Sequence, residues 1–283
     1  MVQISIANAQ SPVPKNAKLE KIATGFVFVE GPVWKDNFGL LFSDMQSANT
    51  MYKWTEETGT TVYLKPSGIS NGLTYDNNGN LIMAQTQLRR VARLESDGSQ
   101  TVIASHYNGK KFNSPNDLVV KSDGFIFFTD PDFNVPEGES TELPHKGIYR
   151  ISNSGNVTLL DDTFDKPNGI CFSPDEKKLY VCESPKCIIY VWDVVNDSTI
   201  ANKKEFYRIP QKGYADGMKT DPEGNLYCTG PGGVWIISPA GKYLDKIETP
   251  ETPTNCNWGD SDRKTLYITA NTSVYRIRLK TKE

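Results

Sequence analysis

Six polar residues recur along this chain about every forty to fifty residues, each at the start of a short apolar segment. They are Glu30, Asn71, Asn116, Asn168, Asp216 and Asn255. All six carry side-chain oxygen atoms, which are the donors that a hard cation such as Ca²⁺ or Mg²⁺ binds in proteins. If the fold brings these residues to one place, the sequence predicts a cation site there.

A second interpretation of these residues is purely local. Glycine follows four of the six, and Asn-Gly and Asp-Gly are ordinary turn dipeptides. Any one of them alone is more typical of a turn than of a ligand. The cation hypothesis therefore depends on all six occupying equivalent places around a common axis.

Other catalytic chemistry has little support. The chain has two histidines, His106 and His145, which is too few for a three-histidine zinc site. His106 borders an outer strand, whereas His145 lies in a long loop, residues 131–146, as a candidate substrate neighbour. No G-x-S-x-G motif is present and neither histidine lies at the start of a blade's first strand, so a Ser-His-Asp triad is not indicated. The sequence also shows no redox-cofactor motif.

The polar residues belong to a repeated pattern of strands. Each copy has a strand opened by the polar residue, then an apolar strand after a Gly-bearing or charged turn, and further strands rich in β-branched and aromatic residues. The second strands are predicted within residues 38–44, 78–85, 123–130, 176–183, 223–230 and 263–270. A strand-built period in the forties is typical of propeller blades. The sequence predicts an all-β, six-bladed β-propeller with four-stranded antiparallel blades.

The ends of the chain predict how the ring closes. The sixth copy lacks a fourth strand, and LEKIAT (19–24) precedes the first copy as a spare strand. We expect this N-terminal strand to complete the last blade and remove open sheet edges. Residues 19–283 then form the propeller, and residues 1–18 form an N-terminal tail.

Chain direction predicts where the polar residues meet. The first strand of a blade is the innermost, and the start of that strand shares one end of the channel with the loop after the second strand. The six polar residues should therefore converge at one mouth of the propeller. The loop 131–146 should lie over the same mouth, where long loops on rigid scaffolds often select substrate.

Composition limits the partners. The 283 residues carry a net charge of −3 with both signs interspersed, so there is no basic footprint for nucleic acid. No stretch is apolar enough to span a membrane. We expect a small-molecule partner and a monomer or weak dimer. The five cysteines, an odd number without a CxxC motif, fall mostly in predicted strands and are expected to be small buried side chains.

The first ten residues leave the compartment open. Ala7-Asn8-Ala9 has the A-x-A form of a signal cleavage site, but a charged leader and a full apolar segment are missing. If residues 1–9 are a truncated signal peptide, the protein is periplasmic or secreted; otherwise it is cytoplasmic.

Several motifs together resemble a known family. EGPVW (30–34), NSPNDLVVKSDGFIFFTDP (113–131), KPNGICFSPDEKKLYV (166–181) and YADGMKTDPEGNLYC (214–228) are similar, in order, to the SMP-30/gluconolactonase/luciferin-regenerating family. The resemblance extends from about Glu20 to Leu279 and is closest to the bacterial gluconolactonases. It implies a six-bladed propeller and a metal-dependent hydrolase that opens sugar lactones.

The resemblance also implies roles for individual residues. Glu30, Asn168 and Asp216 match the family's ligands to one divalent cation, and Asp216 also matches the position assigned to proton transfer. Ca²⁺ is the favoured ion, with Mg²⁺, Mn²⁺, Zn²⁺ and Fe²⁺ as alternatives. Asn116 matches a residue that lines the same site. Together with Asn116, we assign Asn71, Asn255 and His145 to substrate binding.

Three departures from the family pattern leave the substrate open. Ser114 stands where animal members carry Arg, Gln85-Thr86 where bacterial members often carry Glu-His, and Asp132-Phe133-Asn134 where Pro-Tyr-Gly is commoner. The residues matched to the metal are all present.

Three functions remain in competition. The first is a sugar-lactone hydrolase, and the second is a lactonase or esterase for less polar esters, which aromatic mouth residues such as Tyr214, Phe133 and Trp258 would favour. The third is a non-catalytic binding module, which would not need oxygen donors at the strand starts. For the enzymes, Asp216 takes a proton from the attacking water, or a water on the cation attacks and Asp216 relays the proton. A bound cation would lower the pKa of Asp216, and the sequence leaves both routes open.

Overall fold

The computed structural model describes residues 11–196 and 199–280, which fold into a six-bladed β-propeller. Each blade is a four-stranded antiparallel sheet, as predicted.

Blade 1 comprises β2 (Val29–Lys35), β3 (Gly39–Asp44), β4 (Thr50–Thr55) and β5 (Gly59–Leu64); blade 2 comprises β6 (Ser70–Tyr75), β7 (Leu81–Gln85), β8 (Arg90–Leu94) and β9 (Gln100–Ala104). Blade 3 comprises β12 (Leu118–Val120), β13 (Ile126–Asp130), β14 (Lys146–Ile151) and β15 (Val157–Phe164). Blade 4 comprises β16 (Pro167–Phe172), β17 (Lys178–Glu183), β18 (Ile188–Asn196) and β19 (Thr199–Arg208); blade 5 comprises β20 (Met218–Thr220), β21 (Leu226–Gly230), β22 (Gly233–Ile237) and β23 (Tyr243–Glu248). Blade 6 comprises β24 (Pro253–Gly259), β25 (Thr265–Ala270), β26 (Ser273–Arg278) and the N-terminal β1 (Glu20–Thr24).

Two short elements lie outside the blades. A hairpin of two-residue strands, β10 (His106–Tyr107) and β11 (Lys110–Lys111), follows blade 2. A 3₁₀ turn covers Gln46–Ala48, between β3 and β4 of blade 1. Neither was predicted from the sequence. Within the described ranges 11–196 and 199–280, no helix is long and apolar enough to cross a membrane.

The apolar core consists of six buried clusters, each between two neighbouring blades. Successive residues of a strand point to opposite faces of its sheet. Leu226 therefore packs with blade 4 while Tyr227, the next residue, packs with blade 6. This two-sided burial explains why the second strands contain runs of consecutive apolar residues instead of alternating apolar and polar ones. All five cysteines are free and buried, as expected.

Strand β1 closes the ring. It pairs antiparallel with β26 along Glu20↔Arg276 and Thr24↔Ser273, so the last blade gains its outer strand from the start of the chain. Residues 11–18 form no strand, but they are not detached from the propeller. Pro12 is buried and accepts a hydrogen bond from Lys280 N at 2.9 Å. The predicted signal remnant, residues 1–9, lies outside the described residues.

This closure predicts a graded response to truncation. Relative to a chain that starts at Ser11, a chain that starts at Leu19 should lose a few degrees of melting temperature, because Val13 and Ala17 pack against the blade 5–6 cluster. A chain that starts at Phe26 should lose far more, because it also exposes the β26 ladder. Thermal unfolding followed by circular dichroism measures both shifts. Equal melting temperatures for the two shorter chains would refute the role given to β1.

Candidate active site

Five of the six strand-opening residues meet in one cavity at the propeller axis. The cavity has a volume of about 330 Å³, and its wall includes Glu30, Asn71, Asn116, Asn168 and Asp216, from five different blades. The local-turn interpretation of these residues is therefore insufficient. Their convergence follows from the repeat, because each occupies the same place in its own blade.

A backbone irregularity turns these side chains toward the axis. In blades 1, 2, 4 and 6 the pairing of the first and second strands shifts register at the polar residue, for instance between Glu30 and Val33 and between Pro167 and Ile170. In blades 3 and 5 the inner strand begins only after it, at Leu118 and Met218. Bulges of this kind redirect a side chain out of the regular pleat.

The glycines that follow Asn168 and Asp216 are required by the neighbouring blade more than by a turn. A Cβ at Gly169 would lie 2.3 Å from Asp216 O, and one at Gly217 would lie 1.9 Å from Asn255 Cγ. Neither glycine has a positive φ. Glycine therefore allows successive blades to approach closely around the axis.

Polar side chains at the ends of the second strands hold the segments that open the blades. Asp130 accepts hydrogen bonds from Asn113 N at 2.7 Å and Ser114 N at 2.8 Å. Asp44 and Glu183 each accept hydrogen bonds from two backbone N–H groups in the same way. In blade 2, the buried Gln85 donates instead to Ser67 O at 2.7 Å. These residues position the strand starts.

Glu30, which is buried, and Asp216, which is partly exposed, are the two carboxylates of the cavity wall. Burial raises the pKa of both carboxyls; the negative charge of Asp117 raises the pKa of Glu30 further, and the charges of Glu30 and Asp117 raise the pKa of Asp216. Hydrogen bonds from Gly31 N and the Asn255 side chain to Glu30, and from the Asn168 side chain to Asp216, offset part of this effect. Carboxylates whose ionised forms are disfavoured by burial and by neighbouring negative charge favour a positive charge nearby.

The donor set fits a hard divalent cation. Within the described residues, no three His, Cys, Asp or Glu side chains form a ligand group, so an amide must complete the set. Asn168 Oδ1 and Asn71 Oδ1 are buried and have no hydrogen-bond partner in the described part of the chain. Such an unpartnered acceptor is unfavourable unless a ligand satisfies it. Glu30, Asn168 and Asp216 together offer only oxygen, which matches Ca²⁺ or Mg²⁺.

Two residues predicted to bind substrate lie elsewhere. Asn255 is buried behind the cavity wall, where its side chain hydrogen-bonds Glu30 and its Oδ1 accepts from Cys256 N at 2.9 Å. His145 does not line the cavity, because its Nε2 hydrogen-bonds Tyr149 Oη at 3.0 Å. We therefore correct both assignments: Asn255 supports Glu30, and His145, within the mouth loop, contacts Tyr149 instead of the cavity.

The aromatic residues of the mouth also differ from expectation. Phe133 and Tyr214 line the cavity, joined by Phe28 and Met45, which the sequence did not single out. Trp258 is absent from the wall, because its ring packs on Tyr227 and its Nε1 donates to Thr220 O at 2.8 Å.

The mouth loop is fixed by contacts that sequence reasoning missed. The buried Arg89 donates to Glu139 Oε2 at 2.7 Å, and Ser114 Oγ donates to Pro131 O at 2.9 Å. Asp132 pairs with Lys166 and Lys146, so its charge is compensated. The loop thus presents Phe133 and Asn134 to the cavity rather than a strongly acidic surface.

Comparisons with known proteins identify the family of this chain. A family model described as SMP-30/Gluconolactonase/LRE-like region matches residues 28–272. The chain belongs to this family.

Individual relatives are similar over most of the chain. A gluconolactonase of Zymomonas mobilis is 36% identical, over 93% of this chain and 82% of the relative. The diisopropyl-fluorophosphatase of Loligo vulgaris is 25% identical, over 91% of this chain and 90% of the relative. A solved gluconolactonase from Xanthomonas campestris has a TM-score of 0.88 at 30% identity, covering 95% of this chain and 91% of that chain.

The close approach of the blades gives a testable prediction. Gly169→Ala should displace Asn168 or Asp216, lower stability by about 1–3 kcal/mol and remove most activity of the site. As a control, Gly155→Ala carries the same added methyl at an open position, where the nearest atom would be 3.9 Å away. Its left-handed backbone costs stability there too, but activity should stay normal. Chemical denaturation and turnover assays on both variants check this; full activity in Gly169→Ala would contradict it.

Proposed function

We propose that this protein hydrolyses sugar lactones at the axial cavity, with a divalent cation held by Glu30, Asn168 and Asp216. The main supporting observation is the convergence of these residues in one cavity, where Asn168 Oδ1 is buried without a partner. The similarity to gluconolactonases of Z. mobilis and X. campestris supports the lactone substrate. Both enzymes are similar over more than nine-tenths of this chain.

Lactone opening requires a defined set of proton transfers. Water adds to the ester carbonyl, the bond from the carbonyl carbon to the ring oxygen breaks, and the ring oxygen leaves as a hydroxyl. A bound cation supplies Lewis acidity that polarises the carbonyl. The chain must therefore place the water, take one proton from it and return one to the ring oxygen.

Asp216 is the group we assign to both transfers. It lines the cavity, and burial together with Glu30 raises the pKa of its carboxyl, which makes the carboxylate a stronger base than an exposed aspartate. Cation binding would lower that pKa again, which makes Asp216 better suited to relaying a proton than to holding it. Asn71 and Asn116 offer amides to the sugar hydroxyls from blades 2 and 3.

An alternative substrate has one observation in its favour. Phe28, Met45, Phe133 and Tyr214 give part of the cavity an apolar wall, which would suit less polar lactones or esters. The similarity to the L. vulgaris phosphatase is compatible with a broader range of hydrolysed bonds in this fold.

The proposed cation ligands can be tested by substitution. Glu30→Gln and Asp216→Asn should each lower kcat/KM for glucono-δ-lactone at least about a hundredfold, because each removes one charged ligand. Protein stripped with a chelator should be inactive and should recover when Ca²⁺ or another divalent metal is added. Acid release, corrected for spontaneous hydrolysis, measures both.

A matched control separates the loss of a cation ligand from the loss of a negative charge elsewhere on the protein. Glu248→Gln removes an exposed carboxylate from an outer strand and should keep normal activity. Near-normal activity of either ligand variant in metal-depleted buffer would show that the site is wrongly assigned.

The proposed substrate class can be tested by comparing substrates. Neutral five- or six-membered aldonolactones should be preferred over a long-chain acyl lactone and an aryl ester. Asn116→Ala should raise KM for the aldonolactone about tenfold, the effect of one lost hydrogen bond in a buried site. Asn156→Ala, an exposed asparagine on blade 3, is the control and should change nothing. Faster hydrolysis of the acyl lactone or aryl ester by the wild type would establish the alternative.

A further inference from the structure

Two charged side chains near the axis have no part in the mechanism above. Asp117 follows Asn116 and is 2% exposed, and Lys219 lies three residues beyond Asp216 on the inner strand β20. Asp117 Oδ1 accepts Leu118 N at 2.9 Å, whereas its Oδ2 is buried with no hydrogen-bond partner in the described residues. A buried carboxylate oxygen left in this state needs a compensating positive charge.

Lys219 supplies a positive charge in the same channel. Its Nζ donates to Met218 O at 3.0 Å, which uses one of its three protons. Burial lowers the pKa of Lys219, but the charge of Asp117, with smaller effects from Cys171, Cys256 and Glu30, raises it above the usual value. The ammonium is therefore held in its charged form.

The origin of these neighbours places both charges on the axis. Glu30 and Asp117, whose charges both act on Lys219, come from blades 1 and 3, and neither of these blades is a neighbour of blade 5. The central channel is the region that these three blades share. The packing around Asp117 agrees, because a Cβ at Gly72 of blade 2 would lie 2.6 Å from its Oδ1.

The channel therefore contains three carboxylates, Glu30, Asp117 and Asp216, and one ammonium. We propose that Lys219 neutralises Asp117, so that the channel presents two net negative charges, the complement of one divalent cation. This inference rests on the cation site of the proposed function. It assigns Lys219 to setting the charge that the cation meets, without contact with substrate.

Two substitutions should change cation binding in opposite directions. Lys219→Met removes the ammonium but keeps an unbranched side chain, so the channel becomes more negative and should favour trivalent over divalent ions. Asp117→Asn keeps the acceptor for Leu118 N but leaves Lys219 uncompensated, so cation binding should weaken. A packing defect would weaken binding in both variants, which makes the opposite signs diagnostic.

The experiment measures Tb³⁺ binding by luminescence, and Ca²⁺ binding by displacement of Tb³⁺, at fixed pH and ionic strength. Lys219→Met should raise the ratio of Tb³⁺ to Ca²⁺ affinity at least about tenfold, and Asp117→Asn should lower Ca²⁺ affinity by a similar factor. The double variant should return to within about threefold of the wild type, because a buried charge pair removed together leaves no unpaired charge.

The outcomes separate this inference from the proposed function. If the wild type binds neither ion, the cation site itself is wrong. If the wild type binds and the single variants shift affinity in the same direction, or Lys219→Met shifts nothing, or the double variant is not restored, the charge-setting role is overturned. Circular dichroism on each variant confirms that the propeller is intact.

Discussion

Hydrogen bonds between neighbouring blades at the axis are the constraint on which the site depends. Ser43 Oγ donates to Asn71 O at 3.0 Å, and Thr129 Oγ1 donates to Asn168 O at 2.7 Å. Each bond joins the end of one blade's second strand to the strand start of the next blade. Because a buried carbonyl without a partner costs about 1–3 kcal/mol, this register is strongly preferred. The same bonds that set the angle between blades therefore set the spacing of the site residues.

The distribution of apolar residues explains why the axis can hold charge. The six buried clusters lie between blades, so burial of apolar surface stabilises the ring without filling its centre. The inner strands contribute polar side chains there instead, and the glycines beside them bring the blades close enough for these side chains to meet. In a compact core with one apolar centre, Glu30, Asp117, Asp216 and Lys219 would be excluded.

The sequence predicts the ring and most of the site for the same reason. A repeat places equivalent residues at equivalent positions, so Glu30, Asn168 and Asp216 could be brought together from their place in the pattern alone, and β1 could be assigned to the last blade. The direction in which a single side chain points was not predictable in this way. Whether Asn255 faces the cavity or Glu30 depends on the local bulge.

Contacts between distant segments were equally hidden from the sequence. The contact of Arg89 with Glu139 joins blade 2 to the mouth loop of blade 3 and has no sequence signal. His145 was placed near substrate because its loop follows a second strand, but Tyr149, four residues further on, holds its ring away from the cavity. Lys219 could not be singled out from the sequence, because the ammonium group of a lysine in a strand usually reaches solvent.

The repulsion between Glu30 and Asp216 connects the chemistry to ring closure. The two carboxylates belong to blades 1 and 5, so their mutual destabilisation acts between separate blades instead of within one strand. Both blades belong to a ring that is closed between its first and last strands. Pairing of β1 with β26 removes the gap at which blade 6 could move away from blade 1. The N-terminal strand, which is not part of the cavity wall, thus helps to hold the blades that carry the two carboxylates.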